Sequence, residues 1–210
     1  MTIKEFCAEN LTDLHKVNAP QVSRVELCDN LAEGGTTPSY GVIKEAAKYL
    51  HDKEVSLATM IRPRGGNFVY NDLELKVMEE DILQAVELES DYLVLGLLTK
   101  DNELDRNGIE QLLPATRGLP LVFHMAFDSI PRDKQEKTID TLIDLGFVRI
   151  LTHGSPDESN IYDNVTHLKS LVDYAQNRIE IMIGGGVTKD NCEDLCQKIG
   201  TQIVHGTKII

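Results

Sequence analysis

Eight short segments rich in β-branched and other apolar residues, at 3–8, 22–28, 55–62, 92–98, 120–125, 148–152, 179–184 and 202–207, alternate with helix-like stretches along all 210 residues. A strand–helix repeat of this kind requires parallel strands joined by crossovers. A count of eight predicts a closed (β/α)8 TIM barrel in the α/β class rather than an open doubly wound sheet. The 41% of apolar residues suffices for a buried core, and no low-complexity stretch or linker interrupts the pattern, so residues 1–210 are expected to form a single TIM-barrel domain. The barrel would be compact. Its eighth strand falls so near the end of the chain that the last helix is expected to be missing, leaving wall uncovered for another subunit and hence a homo-oligomer.

Between the strand signals, "DLELKVMEEDILQAVELE" at 72–89 predicts a helix with Leu73, Val77, Ile82, Val86 and Leu88 along one face and Asp72 as N-cap. "SIPRDKQEKTIDTLIDLG" predicts another, with Pro131 in its first turn and Gly146 at its stop. The net charge of −13, without a Lys/Arg cluster, argues against nucleic acid and anionic membrane surfaces as partners. No window reaches the ~18 consecutive apolar residues of a membrane span, and the N-terminal residues carry early charges, so a cytoplasmic protein is expected. Its four cysteines, Cys7, Cys28, Cys192 and Cys196, would then be thiols.

In a barrel strand one side faces the helices and the other fills the lumen, so the alternation can be read residue by residue. It sets Phe6 and Ala8 against Glu5, Cys7 and Glu9, and Val25 and Leu27 against Arg24, Glu26 and Cys28. It sets Leu57, Thr59 and Ile61 against Met60 and Arg62, Phe123 against His124, and the isoleucines 179, 181 and 183 against Glu180 and Met182; His205 precedes Gly206. The lumen would hold Glu5, Arg24, Glu26, Arg62, His124, Glu180 and His205. Charges so buried must be paired; the pairs are either structural or the active site that this fold places at the C-terminal strand ends.

The exits "MIGGGVTKDN" and "VHGTK" place Gly184, Gly185, Gly186, Gly206 and Thr207 where barrels commonly hold an anion, although three glycines can equally make a tight turn. Arg62 and Arg64 of "IRPRGGNF" could clamp the far end of a carboxylate or phosphate, or serve the carboxylates around them. Cys7 and Cys28 share inward parity at the ends of neighbouring strands. Strands lie ~4.8 Å apart, so the two thiols could share a metal, and soft thiolates suit Cu(I); buried cysteines also serve as plain core residues. His124 or His205 could add a ligand. Cys192 and Cys196, one turn apart, are expected to pack.

Taken together, "EFCAEN", "RVELCDNLAEGGTTPSYG", "MIRPRGGNFVY", "VFHMAFD", "IMIGGGV" and "HGTK" resemble the CutC family of copper homeostasis proteins from end to end. The resemblance implies a cytosolic TIM barrel, often oligomeric and described as binding Cu(I), with the family's proposed copper ligands matching Cys7 and Cys28. The chain departs from the family pattern at Met125, where arginine is common, and at His153, where serine is. Two readings follow. One is a copper homeostasis protein holding Cu(I) through Cys7 and Cys28. The other is a TIM-barrel enzyme acting on a small anionic or phosphorylated metabolite, with Arg62, Arg64, Gly184, Gly185, Gly186, Gly206 and Thr207 for the anion and Glu26, His124, Asp128 or His205 as acid or base.

Overall fold

A computed structural model describes residues 2–17, 21–157 and 159–210. Eight parallel strands close into a barrel in chain order: β1 (Ile3–Glu9), β2 (Arg24–Cys28), β3 (Ser56–Met60), β4 (Tyr92–Leu95), β5 (Leu121–Phe123), β6 (Phe147–Thr152), β7 (Glu180–Ile183) and β8 (Ile203–Gly206). Each predicted strand is present, and β1 pairs with β8 to complete the ring. Among the described residues six α-helices pack outside: α1 (Tyr40–His51), α2 (Asp72–Glu87), α3 (Arg106–Leu112), α4 (Arg132–Asp144), α5 (Val165–Ala175) and α6 (Cys192–Ile199). Residues 207–210 after β8 form no helix, as expected, and Lys208 bridges to Thr188 instead. The β1–β2 connection also lacks an α-helix among the described residues, with only a 3-10 turn at Leu14–Lys16. None of the described helices is long and apolar enough to cross a membrane.

The apolar residues form two layers. Phe6, Val25, Leu27, Leu57 and Val204 from the strands meet Ile43, Leu50, Leu168 and Leu195 from the helices in the outer layer. Inside the barrel Cys7, Cys28, Ala58, Met60, Val94, Val122, Leu151 and Met182 pack on one another. Successive side chains in a strand alternate sides, so the parity read from the sequence places Glu5, Arg24, Glu26 and His205 on the side of this inner set. Glu180, expected in the lumen, is instead exposed because it is the first residue of β7, at the barrel's rim.

Helix α2 differs from its sequence reading in phase and cap. Its buried face is Leu75, Met78, Ile82 and Ala85, while Leu73 and Val77 are exposed. At about 100° per residue Leu73 and Val77 lie nearly opposite Leu75 and Met78, and the cluster that holds Leu93 and Leu95 of β4 takes the latter side together with Ile82. The N-cap is Asn71, not Asp72: its side chain accepts from Leu73 N and Glu74 N, and Glu74 reaches back to Asn71 N at 2.8 Å in a full capping box. Helix α4 starts just after Pro131 and stops before Gly146, whose φ of +85° suits a residue without Cβ.

Candidate metal centre

Strand register assembles the site. Glu5 lies opposite Arg24, Cys7 opposite Glu26 and Glu9 opposite Cys28, while across the closing seam Glu5 lies opposite His205. With one side of each strand facing inward, Cys7, Glu26, Cys28 and His205 meet in the lumen. Three ligand atoms converge on one carboxylate oxygen, Glu26 Oε2: Cys28 Sγ at 3.5 Å, Cys7 Sγ at 3.6 Å and His205 Nε2 at 3.6 Å. Ligand atoms of Cys7, Glu26 and His205 all lie within 4.8 Å of one another, a spacing that could hold a metal ion. All four residues are buried.

The electrostatics follow from that crowding. Burial alone would raise the Glu5 carboxyl, but the hydrogen bond from His205 Nδ1 at 2.8 Å and the charges of Arg24, His205 and Arg149 bring it down to about 2. Burial alone would lower His205, yet Glu26, Cys7 and Glu5 around it hold its imidazolium well above the ordinary range. The Cys28 thiol, hydrogen-bonded to Cys7, lowers the Cys7 thiol to about 5 against the effect of burial, and His205 assists. That same contact and burial push Cys28 up, while burial raises Glu26 to about 8. The cluster thus favours a thiolate at Cys7 and an imidazolium at His205, while Cys28 and Glu26 are pushed towards their protonated forms.

A loop closes over this mouth. Gly35, at φ +87°, passes so near Cys28 that a Cβ there would lie 3.1 Å from its sulfur. Arg62 fixes the loop: its Nη1 donates to the carbonyls of Glu33 and Gly35, both at 2.7 Å, and its Nη2 to that of Gly66 at 2.8 Å. Arg64 donates to Glu74 Oε1 at 2.5 Å and to the Val69 and Asn67 carbonyls. Both guanidinium groups are thus engaged with loop backbone and Glu74; of the two uses the sequence offered, an anion clamp or service to neighbouring carboxylates, Arg64 is seen in the second.

The other expected site residues stand apart from the thiols. His124 is almost fully buried, its ring tilted at 46° against Phe68 with centroids 4.9 Å apart, and its Nδ1 accepts from Ala126 N at 3.2 Å. Its Nε2 therefore carries the proton, and has no partner among the described residues. Burial and the Arg62 charge lower His124 to about 3, so the ring is neutral. Asp128 accepts from Thr152 Oγ1, His153 N and Gly154 N, pinning the exit of β6, and burial lifts its carboxyl to about 6. At the β7 exit, a Cβ on Gly184 would strike Leu151 at 2.7 Å and His205 at 3.3 Å, so this glycine makes room for His205. His153 Nδ1 donates to the Gly185 carbonyl at 2.8 Å, Gly186 turns at φ +88°, Gly206 lies against the Val187 carbonyl and Thr207 is exposed. Cys192 and Cys196 are buried in the outer layer.

Two lumen residues escaped the sequence reading. Arg149, opposite Val122, and Tyr92, opposite Ala58, point inward at the N-terminal end of the barrel. Extending the parity argument to strands 92–98 and 148–152 would have found them, since Val94 and Leu151 share their side.

The fold and the cluster define a class: a (β/α)8 barrel whose interior carries buried thiol, imidazole and carboxylate groups near its C-terminal end. The sequence model of the CutC family matches residues 2–210, and the chain belongs to that family. It is 74% identical over 208 residues to a family protein CutC of Streptococcus pyogenes, covering 99% of this chain and all of that one. It is 36% identical to the human copper homeostasis protein cutC homolog, covering 97% of this chain and 72% of that protein. A crystal structure from Streptococcus agalactiae, provisionally described as copper homeostasis protein CutC, superposes with a TM-score of 0.99 at 66% identity, covering both chains completely.

Proposed function

We propose that this copper homeostasis family member binds Cu(I) through Cys7 and Cys28, with His205 beside them. The observation that carries the reading is the convergence of both sulfurs and the His205 Nε2 on Glu26 Oε2 at 3.5–3.6 Å. A soft d10 cation prefers thiolate and imidazole over the carboxylates that suit Mg2+ or Ca2+. Cys7, lowered to about 5, is ready as a thiolate, whereas Cys28 must lose its proton as the metal enters, and the His205 imidazolium must give up its Nε2 proton to offer imidazole. Glu26 and Glu5 would form the outer shell: Glu5 orients His205 through Nδ1, leaving Nε2 turned towards Glu26 and Cys7.

The test is a competition titration of reduced, anaerobic protein against a Cu(I) chelator probe. Stoichiometric retention by the wild type, lost in Cys7→Ser and in Cys28→Ser, is the expected result. Retention unchanged in both variants would make the thiols core residues. A second reading, an enzyme for a small anionic metabolite at the same mouth, draws on the unpartnered Nε2–H of His124. It stands second because Arg62 and Arg64, its expected anion clamp, already bind loop carbonyls and Glu74.

A further inference from the structure

The opposite, N-terminal end of the lumen holds a second charged cluster that the copper reading does not use. Arg24 from β2, Tyr92 from β4 and Arg149 from β6 come from alternate strands, as residues of one lumen layer do in this fold. Both arginines stack on Tyr92, with guanidinium carbons 4.8 and 5.4 Å from its ring centroid. Arg24 is 5% and Arg149 4% exposed. Arg24 Nε donates to Glu5 Oε2 and Arg149 Nη2 to Glu180 Oε2. Three further buried nitrogens, Arg24 Nη2 and Arg149 Nε and Nη1, have no hydrogen-bond partner among the described residues.

Two cationic groups so buried are costly unless their donors are met. The carboxylates present do not meet them. Glu5 already divides its two oxygens between Arg24 and His205, and the Glu180 side chain is half exposed. A water molecule would accept from one or two of these donors but would bring two protons of its own, which this cluster of donors is poorly equipped to receive. An anion between the two guanidinium groups would accept from such donors and bring no proton of its own. Glu180, the partner of Arg149, also lines a surface cavity of about 350 Å3 with Ile3, Gln202 and Ile203.

The geometry points to a binding site for a compact monovalent anion, a halide or a small carboxylate, between Arg24 and Arg149 at the N-terminal end of the barrel. The site is distinct from the Cys7–Cys28 centre and independent of copper. Crystals of the full chain, grown without chloride and soaked in sodium bromide, test it through anomalous scattering. The expected result is a bromide peak within hydrogen-bonding reach of Arg149 Nε and Nη1, absent from Arg149→Met. In solution, chloride or formate should raise the thermal midpoint saturably over gluconate at equal ionic strength, and Arg149→Met should lose that rise. A response to formate but not chloride would assign a carboxylate site; a response to both, a general compact-anion site. Ordered water in place of bromide would overturn the proposal. So would a peak seen only at molar bromide with no shift in midpoint, an adventitious ion only, or an equal shift in the variant. The wild-type peak and the saturation of its midpoint decide the matter even where Arg149→Met fails to fold.

Discussion

At the scale of single residues, Glu5 links the two ends of the lumen. One oxygen holds Arg24 and the other holds His205, and the whole side chain is buried. Removing one partner of a buried charge pair leaves the other charge uncompensated, which typically costs about 3–5 kcal/mol. Glu5→Gln should therefore lower unfolding free energy by about that amount in urea titrations, and a loss below about 1 kcal/mol would deny the pairing its structural role. Residue identity and parity already marked Glu5, Arg24, Glu26 and His205 as lumen groups. Their partners were not readable, because parity says which side a residue takes but not how far along the barrel each strand is shifted. That shift sets His205 beside Cys7 and leaves His124 against Phe68.

At the scale of elements, the loop from β2 to α1 matters most to the candidate metal centre. Its path over Cys28 depends on Gly35, where positive φ and a 3.1 Å approach to the sulfur both exclude a side chain. Gly35→Ala should cost about 1–2 kcal/mol and, if Cys28 is a copper ligand, weaken Cu(I) retention in the same chelator competition. Full retention with normal stability would show that the loop does not close the site. The strands were legible from their apolar alternation, and helix α4 from its proline and glycine. The face of α2 was not, since Leu73 and Val77 make a helical row as plausible as Leu75 and Met78 until the neighbouring strands choose between them.

For the whole molecule, acid stability follows from groups whose protonation folding changes. His124 is lowered from its ordinary 6.5 to about 3, so between those values the unfolded chain binds a proton that the folded one refuses. Its contribution is full above pH 6.5 and is lost as pH falls towards 3, with a slope of about 1.4 kcal/mol per pH unit. Asp128, raised to about 6 by burial, works in the opposite sense, favouring the fold as pH falls from 6 towards its ordinary 3.8. Asn at position 124 keeps an acceptor for Ala126 N without titrating. In His124→Asn the fall in urea midpoint between pH 6.5 and 3 should become shallower than in the wild type, and parallel curves would refute the neutral, buried ring.

The sequence by itself determined the barrel, the inward side of the strands it was read for and the presence of two inward thiols, because these depend on local periodicity and on the count of β/α units. Tertiary structure decided the rest. Barrel closure brings β8 against β1 and so sets Glu5 opposite His205, 200 residues away. Crossing chains commit Arg62 and Arg64 to loop carbonyls and Glu74, and they gather Arg24 and Arg149 on the Tyr92 ring. Such contacts depend on strand shear and on which groups burial leaves without water, and neither is encoded at any fixed spacing along the chain.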